Sequence, residues 1–271
     1  MPPFSSPSAL SSSSPYLSRD AVVVALRTAG CVFAEDEAEL ILTAAGTPGE
    51  LAAMVERRAA GLPLEIVLGW AEFLGRRVVV EAGVFVPRRR TEFLVGQALA
   101  GAPHASVVVD LCCGSGAVGA ALASALGRVE LHAADIDPAA VRCARRNVAA
   151  LGGHVHAGDL FDALPGVLRG RVDILAANVP YVPTREVALL PPEARDHEPL
   201  TALDGGVDGL DVLRRVAAEA AGWLAPGGCV LVETSELQAA DAVEAFRRGG
   251  LTARPAADED LYAHVVIGTK E

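Results

Sequence analysis

The chain of 271 residues has a single lysine, Lys270, so arginine supplies nearly all of its positive charge. Aromatic residues make up only 4% of it, and the apolar content is mostly alanine and valine. No apolar run is long and unbroken enough to span a bilayer. The balance is acidic, with a formal charge of -11. A non-specific nucleic-acid binder needs a basic surface to release counterions from phosphate, and the chain as a whole lacks one. The Arg88, Arg89 and Arg90 run and the Arg142, Arg145 and Arg146 set therefore read as solvated faces. The five cysteines, Cys31, Cys112, Cys113, Cys143 and Cys229, show neither zinc-ligand nor C-x-x-C spacing. That pattern implies reduced thiols, no bound metal and a cytoplasmic protein.

What is present divides into zones. Residues 1–16 are rich in serine and proline, lack the basic start and apolar core of a signal peptide, and read as a disordered tail. Residues 17–63 carry apolar positions at helical spacing (Val22, Val23, Leu26; Ala38, Ile41; Leu51, Met54, Val55), which predicts a small helical domain. Residues 64–90 read as a linking β-hairpin, with Val78–Val80 as one arm and Val84–Val86 as the other. From residue 91 to 271, short apolar runs (VVVDL, ELHAAD, HVHAGD, VDILAAN, CVLVET) alternate with helical segments. Such alternation predicts an α/β domain with a mostly parallel sheet covered on both faces. The last two runs, LTARPAA and LYAHVVIG, are separated by a short link and should pair antiparallel, completing seven strands.

VVVDLCCGSGAVG reads as strand, glycine turn and helix start, the place where open α/β sheets bind ligands. Gly114 to Gly119 also fits the dinucleotide G-x-G-x-x-G pattern, so the glycines alone do not separate NAD from S-adenosylmethionine. Asp110, at the end of the strand, separates them. A carboxylate there repels a pyrophosphate and suits the cationic methionine end of S-adenosylmethionine. Asp135, ending the next strand, can accept from both ribose hydroxyls, and Asp159, after the third, suits the adenine amino group.

Asn178-Val179-Pro180-Tyr181 follows the strand VDILAA. It resembles the N-P-P-Y motif of enzymes that methylate planar amide or exocyclic amino nitrogens. The lone pair of such a nitrogen is delocalised, so the site must hold its N–H protons and aim the lone pair. The Asn178 oxygen and the Val179 carbonyl can accept them, Tyr181 can stack on the planar group, and Pro180 stiffens the loop.

With these residues the chain resembles the HemK/PrmC family of protein-(glutamine-N5) methyltransferases. RRAAGLPLEIVLGWAEFLGRRVVVEAGVFVPRRRTEFLV, LPPEARDHEPLTALDGGVDGLDVLRRV and LAPGGCVLVETSE extend the likeness from about Arg57 to Ser235. The resemblance implies a class I methyltransferase (Rossmann-like) fold, preceded by a helical domain that holds a protein substrate. It implies S-adenosyl-L-methionine as donor and the Gly-Gly-Gln glutamine of a class I peptide-chain release factor as acceptor. It places Cys112, Cys113, Gly114, Ser115 and Gly116 around the methionine moiety, Asp135 on the ribose and Leu160 beside the adenine. Asn178 would touch cofactor and target, with Val179, Pro180 and Tyr181 completing the glutamine pocket. Val179 replaces the motif's first proline. Four alternatives stay open: another protein glutamine, a nucleic-acid amino group, a small metabolite, or a catalytically silent protein that only binds the cofactor.

Overall fold

The computed structural model describes residues 18–271, so the serine-rich tail lies outside the described residues. Two compact units divide between Leu68 and Gly69.

The first unit holds α1 (Arg19–Thr28), α2 (Ala34–Ala44), α3 (Pro48–Ala59) and α4 (Leu64–Leu68). Its starts are capped: the Ser18 hydroxyl accepts from Ala21 N–H, and Thr47, just before Pro48, accepts from Glu50 N–H. Val22, Leu26, Ala38, Ile41 and Val55 are its fully buried centre. Among the described residues its buried ion pair joins Arg58 and Glu37. Arg58 Nε donates to Glu37 Oε2 at 2.6 Å, Nη2 to Oε1 at 3.2 Å, and Nη1 to the Leu62 carbonyl at 3.0 Å.

The second unit opens on an antiparallel hairpin of β1 (Trp70–Phe73) and β2 (Arg76–Val79). This corrects the expected pairing of Val78–Val80 with Val84–Val86. The chain reverses at Leu74 and Gly75, both at positive φ, as a tight two-residue hairpin turn requires. Val84 instead packs under Ala140 and Cys143. The hairpin is anchored by Asn147, which accepts from Val79 N–H and donates to the Val79 carbonyl, each at 2.9 Å. The expected linker also begins with α4, which belongs to the first unit.

The remaining strands are β3 (Val107–Leu111), β4 (Glu130–Asp135), β5 (His154–Ala157), β6 (Val172–Ala177), β7 (Leu224–Thr234), β8 (Thr252–Asp258) and β9 (Ala263–Thr269). They form one sheet in the order β5-β4-β3-β6-β7-β9-β8. Strands β3 to β7 run parallel, and β9 is antiparallel to both neighbours. Helices α5 (Glu92–Gly101), α6 (Ala117–Leu126), α7 (Pro138–Val148), α10 (Asp211–Trp223) and α11 (Ala239–Arg248) accompany the sheet, and the short α8 (Pro192–His197) and α9 (Leu200–Leu203) lie in the β6–β7 connection. Every side chain of β3 is buried, as a central strand covered on both faces must be. Order reverses at β3, whose neighbours are β4 on one side and β6 on the other. Chains leaving the carboxyl ends of these three strands diverge there and open a crevice. At the opposite end of the sheet, past Thr269, the Lys270 ammonium donates to the Leu224 carbonyl at 2.8 Å. No helix among the described residues is long and apolar enough to cross a membrane.

Candidate functional site

A cavity of about 360 Å³ opens in that crevice. Its wall includes Asp110, Cys112, Cys113, Gly114, Ser115 and Asp135 from the ends of β3 and β4, and Asn178, Val179, Pro180 and Tyr181 from the end of β6. Both motifs singled out in the sequence thus face one space, although they are 59 residues or more apart in the chain.

The turn after β3 is built for close approach. Cys112, Gly114 and Gly116 all have positive φ. Gly116 starts α6, and a Cβ there would lie 3.1 Å from the Ala144 methyl. The Asp110 carboxylate sits under the first turn of α6 and accepts from Gly119 N–H at 2.8 Å. Gly119 permits this, since a Cβ there would fall 3.0 Å from Asp110 Oδ2. Burial pushes the Asp110 carboxyl up to about 8; the Gly119 N–H opposes the rise and the Asp135 charge adds to it. Among the described residues no arginine, lysine or histidine pairs with it.

Asp135 is held by the same turn. Its Oδ2 accepts from Gly114 N–H and its Oδ1 from Asp137 N–H, both at 2.9 Å. Burial raises this carboxyl too, against those N–H bonds. All five cysteines are free thiols. Burial, then the nearby Asp135 and Asp110 charges, raise Cys112 and Cys113 well above the ordinary thiol range, which leaves them poor nucleophiles.

Gly116, Asp159 and Leu160 lie outside the cavity wall. Asp159 is half-buried and paired with Arg215 at 2.7 Å. Leu160, at φ 47°, is packed into the core between the sheet and α10.

Arg88, Arg90 and Thr91 also line the cavity, held by acids that no motif had singled out. Glu233, near the end of β7 and 2% exposed, accepts three side-chain hydrogen bonds. They come from Arg90 Nε and the Tyr181 hydroxyl, each 2.9 Å from Oε1, and from the Thr91 hydroxyl, 2.6 Å from Oε2. Burial, then the Glu233 charge, raises the Tyr181 phenol, so it stays neutral and donates. Asn178 Nδ2 reaches the Thr91 oxygen at 3.5 Å. Arg88 pairs with Glu198 at 2.6 Å, and Glu198 also accepts from Val86 N–H. Arg88 and Arg90 are therefore pocket residues, not the solvated face their run suggested; the available signal was an acid ending the wholly apolar strand CVLVET. Among the described residues no group of three or more histidine, cysteine or acidic side chains is arranged to hold a metal.

The Methyltransferase small domain family matches residues 76–189. A release factor glutamine methyltransferase from Geobacter sulfurreducens is 41% identical over 208 residues, covering 75% of this chain and 72% of that protein. A 4-amino-L-phenylalanine/4-methylamino-L-phenylalanine methyltransferase from Streptomyces pristinaespiralis is 36% identical over 203 residues, covering 72% and 69%. Among solved structures, a methyltransferase from Pyrococcus furiosus aligns with a TM-score of 0.55 at 16% identity, over 73% of this chain and 90% of that one, a likeness of fold.

Proposed function

Since the chain belongs to the release factor glutamine methyltransferase family, we propose that it methylates the side-chain amide nitrogen of the Gly-Gly-Gln glutamine of a class I peptide-chain release factor, with S-adenosylmethionine as donor. The observation that carries this reading is the sharing of one cavity by Asp110, Asp135 and the Asn178–Tyr181 loop. The residues suit the cofactor. Asp110 is a buried carboxyl facing the cavity without a cationic side chain, and a cationic amino-acid moiety supplies one. Asp135 keeps free lone pairs for hydroxyl donors, and the glycine turn lets backbone approach. The cofactor supplies an electrophilic methyl group on a sulfonium.

The protein's own residues do the rest. Asn178 Oδ1 accepts one amide N–H of the acceptor and the Val179 carbonyl the other, which leaves the nitrogen's lone pair directed at the donor. The Tyr181 ring holds the amide plane. No dedicated base is required, because the nitrogen becomes strongly acidic once it is methylated and cationic. The first unit, with the proposed boundary near residue 63 to 68, supplies a second contact to a protein substrate. Purified release factor and labelled cofactor test the reading: label on the Gly-Gly-Gln glutamine supports it. Label only on another component of a cell extract transfers the assignment. The arylamine named for the Streptomyces relative is also a planar conjugated nitrogen, so a free arylamine amino acid belongs in the same assay.

Asp110 should make cofactor affinity depend on pH. With its carboxyl near 8 in the empty pocket, binding a cation below that pH requires a proton to leave. Affinity for S-adenosylhomocysteine should rise up to about tenfold per unit between roughly pH 6 and 8, then level. Stability runs the other way. The folded state holds this proton well above the unfolded value of about 4, so the contribution is full below pH 4 and is lost as pH rises towards 8. Asp110→Asn, which can still accept from Gly119 N–H, should raise the melting temperature of the empty protein at pH 7.5 and weaken binding at least about tenfold. Unchanged binding in calorimetry at both ends of the window would remove Asp110 from the site.

Val179→Pro is expected to retain activity within about threefold, because a position preceding proline is already extended and the substitution deletes only an N–H. Among the described residues the Val179 N–H has no hydrogen-bond partner. A large loss of turnover would mean that the pocket is shaped around valine.

A further inference from the structure

We propose that Glu233 is a positioning residue that fixes the sense of the Asn178 amide, and so makes the pocket select an amide over a carboxylate; this rests on the acceptor reading above. The relay has three links. Arg90 and Tyr181 donate to Glu233 Oε1, and the Thr91 hydroxyl donates to Oε2. Having spent its proton on Glu233, Thr91 Oγ1 offers only a lone pair to Asn178, and Nδ2 takes it. The Asn178 oxygen is then the atom left to face the cavity. An oxygen accepts from the NH₂ of glutamine and repels the carboxylate of glutamate. Turned over, the same side chain would present NH₂ and favour glutamate.

The polarity of the relay depends on the carboxylate. A carboxylate accepts at both oxygens, whereas an amide accepts at one and donates at the other. In Glu233→Gln the Arg90 Nε–H can only donate, so the introduced amide must give its oxygen to Arg90 and Tyr181. Its NH₂ then points at Thr91, and the Thr91 hydroxyl must accept there. The Thr91 proton is freed to turn to Asn178, so the sense of the Asn178 amide is no longer fixed. Glu233 and Thr91 are 142 residues apart, joined because α5, which follows Thr91, packs against β7, while β7 also lies beside β6 with Val232 opposite Ala177, one residue before Asn178. The pair therefore couples the central sheet to the acceptor loop without touching the acceptor.

The test uses full-length protein with Gly-Gly-Gln and Gly-Gly-Glu peptides. Glu233→Gln and Thr91→Val should each lower kcat for the glutamine peptide at least about tenfold, with KM within about threefold, as expected when positioning and not binding is lost. The binding ratio of the glutamate to the glutamine peptide should rise by about tenfold in Glu233→Gln. Thr91→Ser, which keeps the hydroxyl, should stay within about threefold of wild type. S-adenosylhomocysteine should raise the melting temperature of every variant as it does the wild type's, which separates loss of the relay from loss of fold. Wild-type kcat in both Glu233→Gln and Thr91→Val, or equal losses in Thr91→Ser and Thr91→Val, overturns the relay alone. A wild type inactive on both the peptide and the intact release factor overturns the acceptor assignment and the relay with it.

Discussion

Asn178→Ala should reduce methyl transfer by about 10² to 10⁴, the range expected when positioning and a directed hydrogen bond are removed together. An amide nitrogen gives its lone pair to the carbonyl, so random encounters rarely present it to an electrophile. In the proposed arrangement the Asn178 oxygen and the Val179 carbonyl take the two N–H groups and turn the lone pair towards the donor methyl. Alanine leaves one N–H unpaired and the plane free to rotate. The fold has little at stake. The side chain's hydrogen bond is the 3.5 Å contact to Thr91, so stability should fall by less than about 1 kcal/mol. S-adenosylhomocysteine should still bind, since Asp110 and Asp135 are untouched. Single-turnover transfer with a paired thermal melt checks both halves. Turnover within tenfold of wild type by a folded variant would sink the arrangement.

The second large effect is expected far from the chemistry. Arg58→Ala in the helical unit leaves the Glu37 carboxylate, 8% exposed, without the fork that neutralises it. Breaking a buried pair from one side costs about 3–5 kcal/mol, more than the pair contributes when intact, because the remaining charge stays desolvated. A unit of this size has a total stability of similar order, about 0.05–0.15 kcal/mol per residue. Residues 19–68 should therefore lose hydrogen-exchange protection while the sheet keeps its own. Replacing both partners with apolar residues of like volume, Arg58→Met with Glu37→Leu, should recover most of the loss. Exchange unchanged in α2 and α3 of Arg58→Ala would show that the carboxylate finds another partner. If the unit holds the protein substrate, the same variant should lose more activity on intact release factor than on a Gly-Gly-Gln peptide.

Strand-end chemistry is local, and it was legible in the chain. Asp110, Asp135 and Asn178 each follow a short apolar run, so their place at the mouth of a parallel sheet comes from the run itself. The alternation of strands and helices, and the short link before the last strand, carried the sheet's class and its antiparallel edge. Two things were not local. Glu233 reads as an acid at the end of a strand like the others, and its partners Arg90 and Thr91 lie more than a hundred residues upstream, with Tyr181 fifty-two residues upstream. The packing of α5 on β7 and the adjacency of β6 and β7 bring them together. Arg88 and Arg90 likewise resembled a solvated basic run until their buried acids were in view. The misplaced hairpin has another cause. Leu74 and Gly75 make its turn without the Asn-Gly or Asp-Gly pair that marks such turns, while Val84 to Val86 imitate a strand, of which Val84 and Phe85 line the cavity instead.

Lys270 stands at the end of the sheet away from the cavity, beyond a strand whose last residue pairs with Cys229 in the middle of β7, and its ammonium reaches Leu224 at the start of that strand. Because no other lysine exists in the chain, an amine-reactive dye or surface linker has one side chain to find once the α-amino group is blocked, and that side chain lies at the end of the sheet away from the mouth. Molecules tethered through it would share one orientation, with the crevice facing solution. Acceptor and cofactor could then be exchanged over the same immobilised molecules, and a fluorophore placed there would report tumbling or association without standing in the path of either ligand.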